Sequence, residues 1–147
     1  MTTPTLSGVH HVTFLVSDLE AAIAWYETVL GAQRLPRLDH HDEHGNCFAV
    51  LFLLPGVDTP VQVRRAAEVT TATAGTDAVI FSVPDRASLN RWAAHFDTHG
   101  VEHSPVMTAR AGFSMTVTVP GGATLRFYTE LGSDFNAVTI TDTAVPE

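Results

Sequence analysis

The chain has 147 residues, 45% hydrophobic and 16% charged, a globular composition with room for one ordinary domain or two small modules sharing a core. Eight Lys and Arg against sixteen Asp and Glu leave a net charge of −8, which excludes a phosphate-backbone partner and hence nucleic acid. No apolar run approaches the roughly 20 residues of a bilayer span, the N-terminus has no signal layout, and the single Cys47 excludes an internal disulfide, so a soluble, cytoplasmic protein is expected.

The stretch HHVTFLVSD, ending at Asp18, alternates like a strand and runs into a helix-start signal, with Ser17 as cap and Glu20 three residues on. The helix that follows carries Leu19, Ile23, Tyr26 and Leu30 on one face and stops at Gly31. Three strands are then predicted, at about Gln33–Leu38, Cys47–Leu54 and Val61–Arg65. The polar DHHDEHG and PGVDTP segments separate them, rich in turn formers, and the first is read as a mobile acidic surface loop. AAEVTTATAG is read as a linker.

The pattern then starts again at an offset of 67 residues, Val79 falling on Val12, Phe81 on Phe14, Val83 on Val16, Asp85 on Asp18 and Trp92 on Trp25. Asp85 caps the second helix, which presents Leu89, Trp92, Ala93 and Phe96 and ends at Gly100. Strands are predicted at about Glu102–Met107, Phe113–Val119 and Thr124–Glu130, with PGG as the last turn. The order is β-α-β-β-β twice, an α+β fold with module one at about 8–66, module two at about 75–131 and a tail over 132–147. His95, His99 and His103 are expected in solvent, and Trp25 and Trp92 in packing.

Two such units, the strand and helix HHVTFLVSDLEAAIAWYETVLG, the second-module stretch DAVIFSVPDRASLNRWAAHFDTHGVEHSPV and the ending VPGGATLRFY resemble the vicinal oxygen chelate superfamily of glyoxalase I, extradiol dioxygenases and bleomycin-resistance proteins. The resemblance covers roughly residues 8 to 130. It implies a curved, open sheet, or half-barrel, around a pocket, often in a dimer. It also implies a divalent metal held by a first-strand His, a second-module His and a last-strand Glu. Those positions fall on His11, Ala78 and Arg126, and an optional fourth-strand Glu falls near Gln62. Zn²⁺, Mn²⁺ and Fe²⁺ sites need about three protein donors; a methyl group donates nothing, and a guanidinium repels the ion. No metal and no cofactor are expected at this site.

What remains suits acid–base work. His11 offers an imidazole for proton transfer, Arg126 offers a fixed charge and five donors to an oxyanion or enolate, and Tyr128 donates a hydrogen bond. Strand alternation places His11, Thr13, Ala78, Ile80, Ser82, Arg126 and Tyr128 on inward-facing positions, with Gln62 and Arg64 beside them. The expected catalytic residues are His11, Arg126 and Tyr128. The expected substrate-binding residues are Gln62, Phe52, Ala78, Ile80, Ser82 and, from a lid, His41. The reading is metal-independent isomerisation, cyclisation, dehydration or ketal formation on an aromatic or polyketide-like molecule in specialised metabolism, by a homodimer without membrane contact. The alternatives are a drug-sequestering protein of bleomycin-resistance type and, third, a metal-dependent dioxygenase or lyase using His11 with the His40–His44 segment.

Overall fold

The computed structural model describes residues 2–66, 79–121, 124–132 and 134–140. The chain divides into two compact units, Met1–Glu68 and Val69–Glu147, each with one sheet and one helix.

In the first unit, β1 (Val12–Val16) leads into α1 (Leu19–Val29), followed by β2 (Gln33–Arg34), β3 (His40–His41), β4 (Cys47–Leu53) and β5 (Val61–Arg65). The strand order is β1-β5-β4-β2, with β3 also on β4; β1 and β5 are parallel and the other pairs antiparallel. Phe14 and Val16 of β1, with Val50, Phe52, Val61 and Val63, are buried against Leu19, Ala22, Tyr26 and Val29 of the helix. Tyr26, fully buried, stacks on Phe52 at 5.6 Å and 11°; burial raises its phenol pKa far above the ordinary value. The helix cap is Asp18, whose carboxylate accepts from the Ala21 amide at 3.1 Å, rather than the expected Ser17.

The second unit repeats the plan. Its elements are β6 (Ile80–Val83), α2 (Arg86–Thr98), β7 (Met107–Ala109), β8 (Gly112–Thr118) and β9 (Thr124–Thr129), in the order β6-β9-β8-β7 with β6 and β9 parallel. Asp85 caps α2, accepting from the Ser88 amide at 2.8 Å and the Ser88 hydroxyl at 2.9 Å. Phe96, Phe127 and Trp92 meet at centroid distances of 5.1 to 5.8 Å, so Trp92 is a packing residue, as is Trp25 of the first unit, buried with its ring 5.2 Å from that of Tyr26.

Three expectations change. The strand Gln33–Leu38 stops at Arg34, because Pro36 opens a 3-10 turn and has no N–H for a ladder. DHHDEHG is an ordered hairpin rather than a loop: His40 and His41 pair with β4, and the Asp42 carboxylate accepts from the His44 and Asn46 amides at 2.9 Å. Those amides, Asn46 foremost, hold the Asp42 carboxyl below the usual range. The strand expected at Glu102–Met107 gives way to β7, which shares only Met107 with it and runs to Ala109; Pro105 interrupts the earlier stretch, where His103 bridges singly to Val117. Ala78, most of the expected linker, Gly122 of the PGG turn and the tail from 141 lie outside the described residues.

Candidate functional site

Register decides which expected site residues share a face. In the second unit Ile80 lies opposite Arg126 and Ser82 opposite Tyr128, while across β8 Thr116 faces Arg126 and Ser114 faces Tyr128. Paired residues point to the same side, so Ile80, Ser82, Arg126 and Tyr128 form one surface, with Thr116 and Ser114 beside them. The alternate residues Phe81, Val83, Leu125 and Phe127 point to the helix side with Trp92 and Phe96. Arg126 is half-buried and Ile80 exposed. The Tyr128 hydroxyl accepts from the Ala111 amide at 3.0 Å, which ties the ring to the β7–β8 turn.

In the first unit the equivalent surface carries Thr13 and Gln62. They are register partners, and the Thr13 hydroxyl donates to Gln62 Oε1 at 3.2 Å. Thr13 pairs with Gln62 as Ile80 pairs with Arg126, so Gln62 and Arg126 hold the same ladder position in the two sheets. His11, exposed, stands just before β1 with its Nδ1 2.8 Å from His10 Nδ1; one of these nitrogens donates and the other accepts. Arg64, next to Gln62 on β5, sets its guanidinium over the Phe48 ring at 4.9 Å.

Two expected lining residues stand elsewhere. Phe52 has no exposed surface and stacks on Tyr26 on the helix side, a packing position. Its face is set by pairing with Val61. His41 belongs to the β3–β4 hairpin, opposite Cys47. His103, expected in solvent, is half-buried between Asp97, 2.7 Å from Nε2, and the Ser104 carbonyl, 2.7 Å from Nδ1. The Asp97 carboxylate, then that carbonyl, raise its pKa above the ordinary value.

Of the positions where the resemblance implies metal donors, Arg126 offers no lone pair and has Ile80 and Thr116 as register partners, and Gln62 Oε1 already accepts from Thr13. Among the described residues a different donor group does converge: oxygen of Asp39, nitrogen of His41 and Sγ of Cys47 lie within 4.8 Å of one another. Asp39 is gripped by Arg34 through Nη2–Oδ2 at 2.8 Å and Nε–Oδ1 at 3.3 Å, which raises the Arg34 pKa. Beside this group a cavity of about 750 Å³ opens along α1, lined by Glu20, Ile23, Glu27, Arg34, Cys47 and Arg65 among others. The sequence signal for this convergence is the i, i+2 spacing of Asp39 and His41 ahead of the turn Asp42–Asn46. The His40–His44 segment already stands as a ligand source in the third alternative of the sequence analysis; Cys47 does not, because only strand register sets it opposite His41.

Solved structures share this fold. The fosfomycin resistance protein FosX from Mesorhizobium loti is 22% identical over 90% of this chain and 98% of its own, with a TM-score of 0.62. FosX from Listeria monocytogenes, solved with Mn(II) and a sulfate ion, is 16% identical over 86% and 94%, with a TM-score of 0.65. Lactoylglutathione lyase from Agrobacterium tumefaciens is 17% identical over 86% and 96%, with a TM-score of 0.64. No curated protein matches the sequence. With its paired β-α-β sheets and a family match spanning residues 8–127, the chain belongs to the glyoxalase/bleomycin resistance protein/dioxygenase superfamily.

Proposed function

We propose that the protein binds a small anionic or enolisable molecule, aromatic or polyketide-like, and moves protons on it without a metal at the superfamily's usual position. The observation that carries this reading is Arg126, a half-buried guanidinium on β9 in register with Ile80. A permanent cation there favours an oxyanion and disfavours a metal ion; at an effective dielectric of about 20, two unit charges 4 Å apart interact by roughly 4 kcal/mol. In this reading Arg126 holds the developing oxyanion, Tyr128 supplies a hydrogen bond, and Ile80 and Ser82 line the second unit's face. His11 is the proposed proton carrier and Gln62 a polar contact on the first unit's face. The reaction class is isomerisation, cyclisation, dehydration or ketal formation. A homodimer and a cytoplasmic location belong to the same proposal; no helix among the described residues is long and apolar enough to cross a membrane.

A second reading, sequestration without turnover, draws on Thr13, Gln62, Ser82 and Ile80, which contact a ligand but carry no proton-transfer group near neutral pH. Binding of a panel of hydroxybenzoates and naphtholates, followed by ligand-observed NMR with and without chelator, tests the shared premise. Binding is expected to ignore the chelator and to weaken about tenfold or more in Arg126→Gln, the worth of a hydrogen bond to a charged group. Binding that vanishes with chelator, or is indifferent to Arg126→Gln, sinks the proposal. His11→Ala separates the readings, losing turnover in the first and at most affinity in the second.

A further inference from the structure

The β3–β4 hairpin contains a group of side chains for which the function above has no use. Asp39 and His41, two residues apart in extended chain, point to one side. His40 points to the other, its ring 5.9 Å from Phe48. In a regular ladder starting from the pair His40–Ala49, His41 would face Phe48. The register slips by one residue instead, and His41 faces Cys47. Such a bulge re-aims side chains, and here it sets an imidazole opposite a thiol. The Asp42 turn, with Gly45 at φ 82°, closes the hairpin behind them.

The three donors differ in kind: carboxylate oxygen, imidazole nitrogen and thiol sulfur. A mixed set with sulfur selects borderline-soft divalent ions over Mg²⁺ or Ca²⁺, which take oxygen. With Zn–S near 2.3 Å and Zn–N and Zn–O near 2.1 Å, tetrahedral donors stand about 3.5 Å apart. Donors already within 4.8 Å thus need to close by little more than about 1 Å. The ligands are also held from behind: Arg34 grips the Asp39 carboxylate with two hydrogen bonds, and Arg65 donates to the Cys47 carbonyl. Cys47 in turn lines the 750 Å³ cavity beside α1.

We propose that Asp39, His41 and Cys47 bind one divalent transition-metal ion of the zinc class, with its remaining coordination position open to that cavity. Three protein ligands and one exchangeable position are the arrangement of reactive rather than closed structural zinc sites. A water or a small anion fits the open position, with Arg34 and Arg65 in the same lining. Binding deprotonates the thiol, so affinity rises with pH. The inference does not rest on the function proposed above, which uses none of these three ligands.

Titration of the reduced, chelator-stripped full chain with Co²⁺ tests it. One equivalent is expected to produce a thiolate-to-cobalt charge-transfer band and four-coordinate visible bands, both bleached by Zn²⁺. Cys47 is the only cysteine, so the band reports this thiol without any variant. Asp39→Asn and His41→Ala are expected to weaken Co²⁺ binding at least tenfold, with circular dichroism confirming that each is folded. His40→Ala and His44→Ala are expected to leave affinity and band intact. Absence of the band at saturating Co²⁺ overturns the site. So does a band indifferent to both ligand variants or abolished by His40→Ala or His44→Ala.

Discussion

A guanidinium and a carboxylate at one ladder position select opposite ligands, and residue 126, where the sequence resemblance implies a metal-binding Glu, is an Arg. Elsewhere single side chains carry measurable consequences. The His103 imidazolium donates to Asp97 and to the Ser104 carbonyl, so its pKa is higher folded than unfolded. Its contribution to stability is therefore full below the unfolded value of about 6.5 and is lost as pH rises through the raised folded value. Urea midpoints measured across that window are expected to fall with rising pH in the wild type and to flatten in Asp97→Asn. Phe52→Ala should cost about 3–5 kcal/mol in the same assay, because a fully buried ring stacked on Tyr26 leaves a cavity. Phe52 was not legible as a core residue for a specific reason. CFAVLFLL is apolar at nearly every position, so alternation does not say which side faces the helix, whereas the pairing of Phe52 with Val61 does.

At the scale of elements, local chemistry was readable wherever it is completed within a few residues. Both helices, their capping aspartates' neighbourhoods and their closing glycines follow from such chemistry, Gly31 and Gly100 adopting φ of 66° and 65°. Asp18→Ala is expected to lower stability by about 1 kcal/mol, read by thermal unfolding. Gly112 opens β8 with φ 144°, and a methyl group there would run into Thr129 Oγ1, which accepts from the Phe113 amide. Gly112→Ala should therefore destabilise by more than about 1 kcal/mol, and hydrogen exchange should locate the loss in β7–β9. The hairpin of β3 and β4 was not readable because polar composition resembles a loop; its order comes from pairing with an apolar strand already anchored in the core.

Over the whole molecule, the 67-residue repeat becomes two sheets with the same parallel first-to-last pairing, Thr13 with Gln62 and Ile80 with Arg126. A net charge of −8 opposes any polyanion, and the chain is expected not to retard duplex DNA in a gel-shift assay at physiological salt. A chelator is expected to separate two properties: it should leave aromatic-anion binding unchanged and remove the cobalt spectrum of the hairpin site.

The sequence by itself determined both helices, the longer strands, the duplication and the superfamily, because hydrophobic period, caps and turn residues act over a few positions. It also sets Arg126 at the position where the resemblance implies a metal-binding carboxylate. Only the tertiary structure decided that Phe52 faces the helix, that Thr13 engages Gln62, and that a one-residue slip sets His41 against Cys47. Those outcomes depend on register between strands, and a shift of one residue turns a side chain to the other face without changing any local propensity.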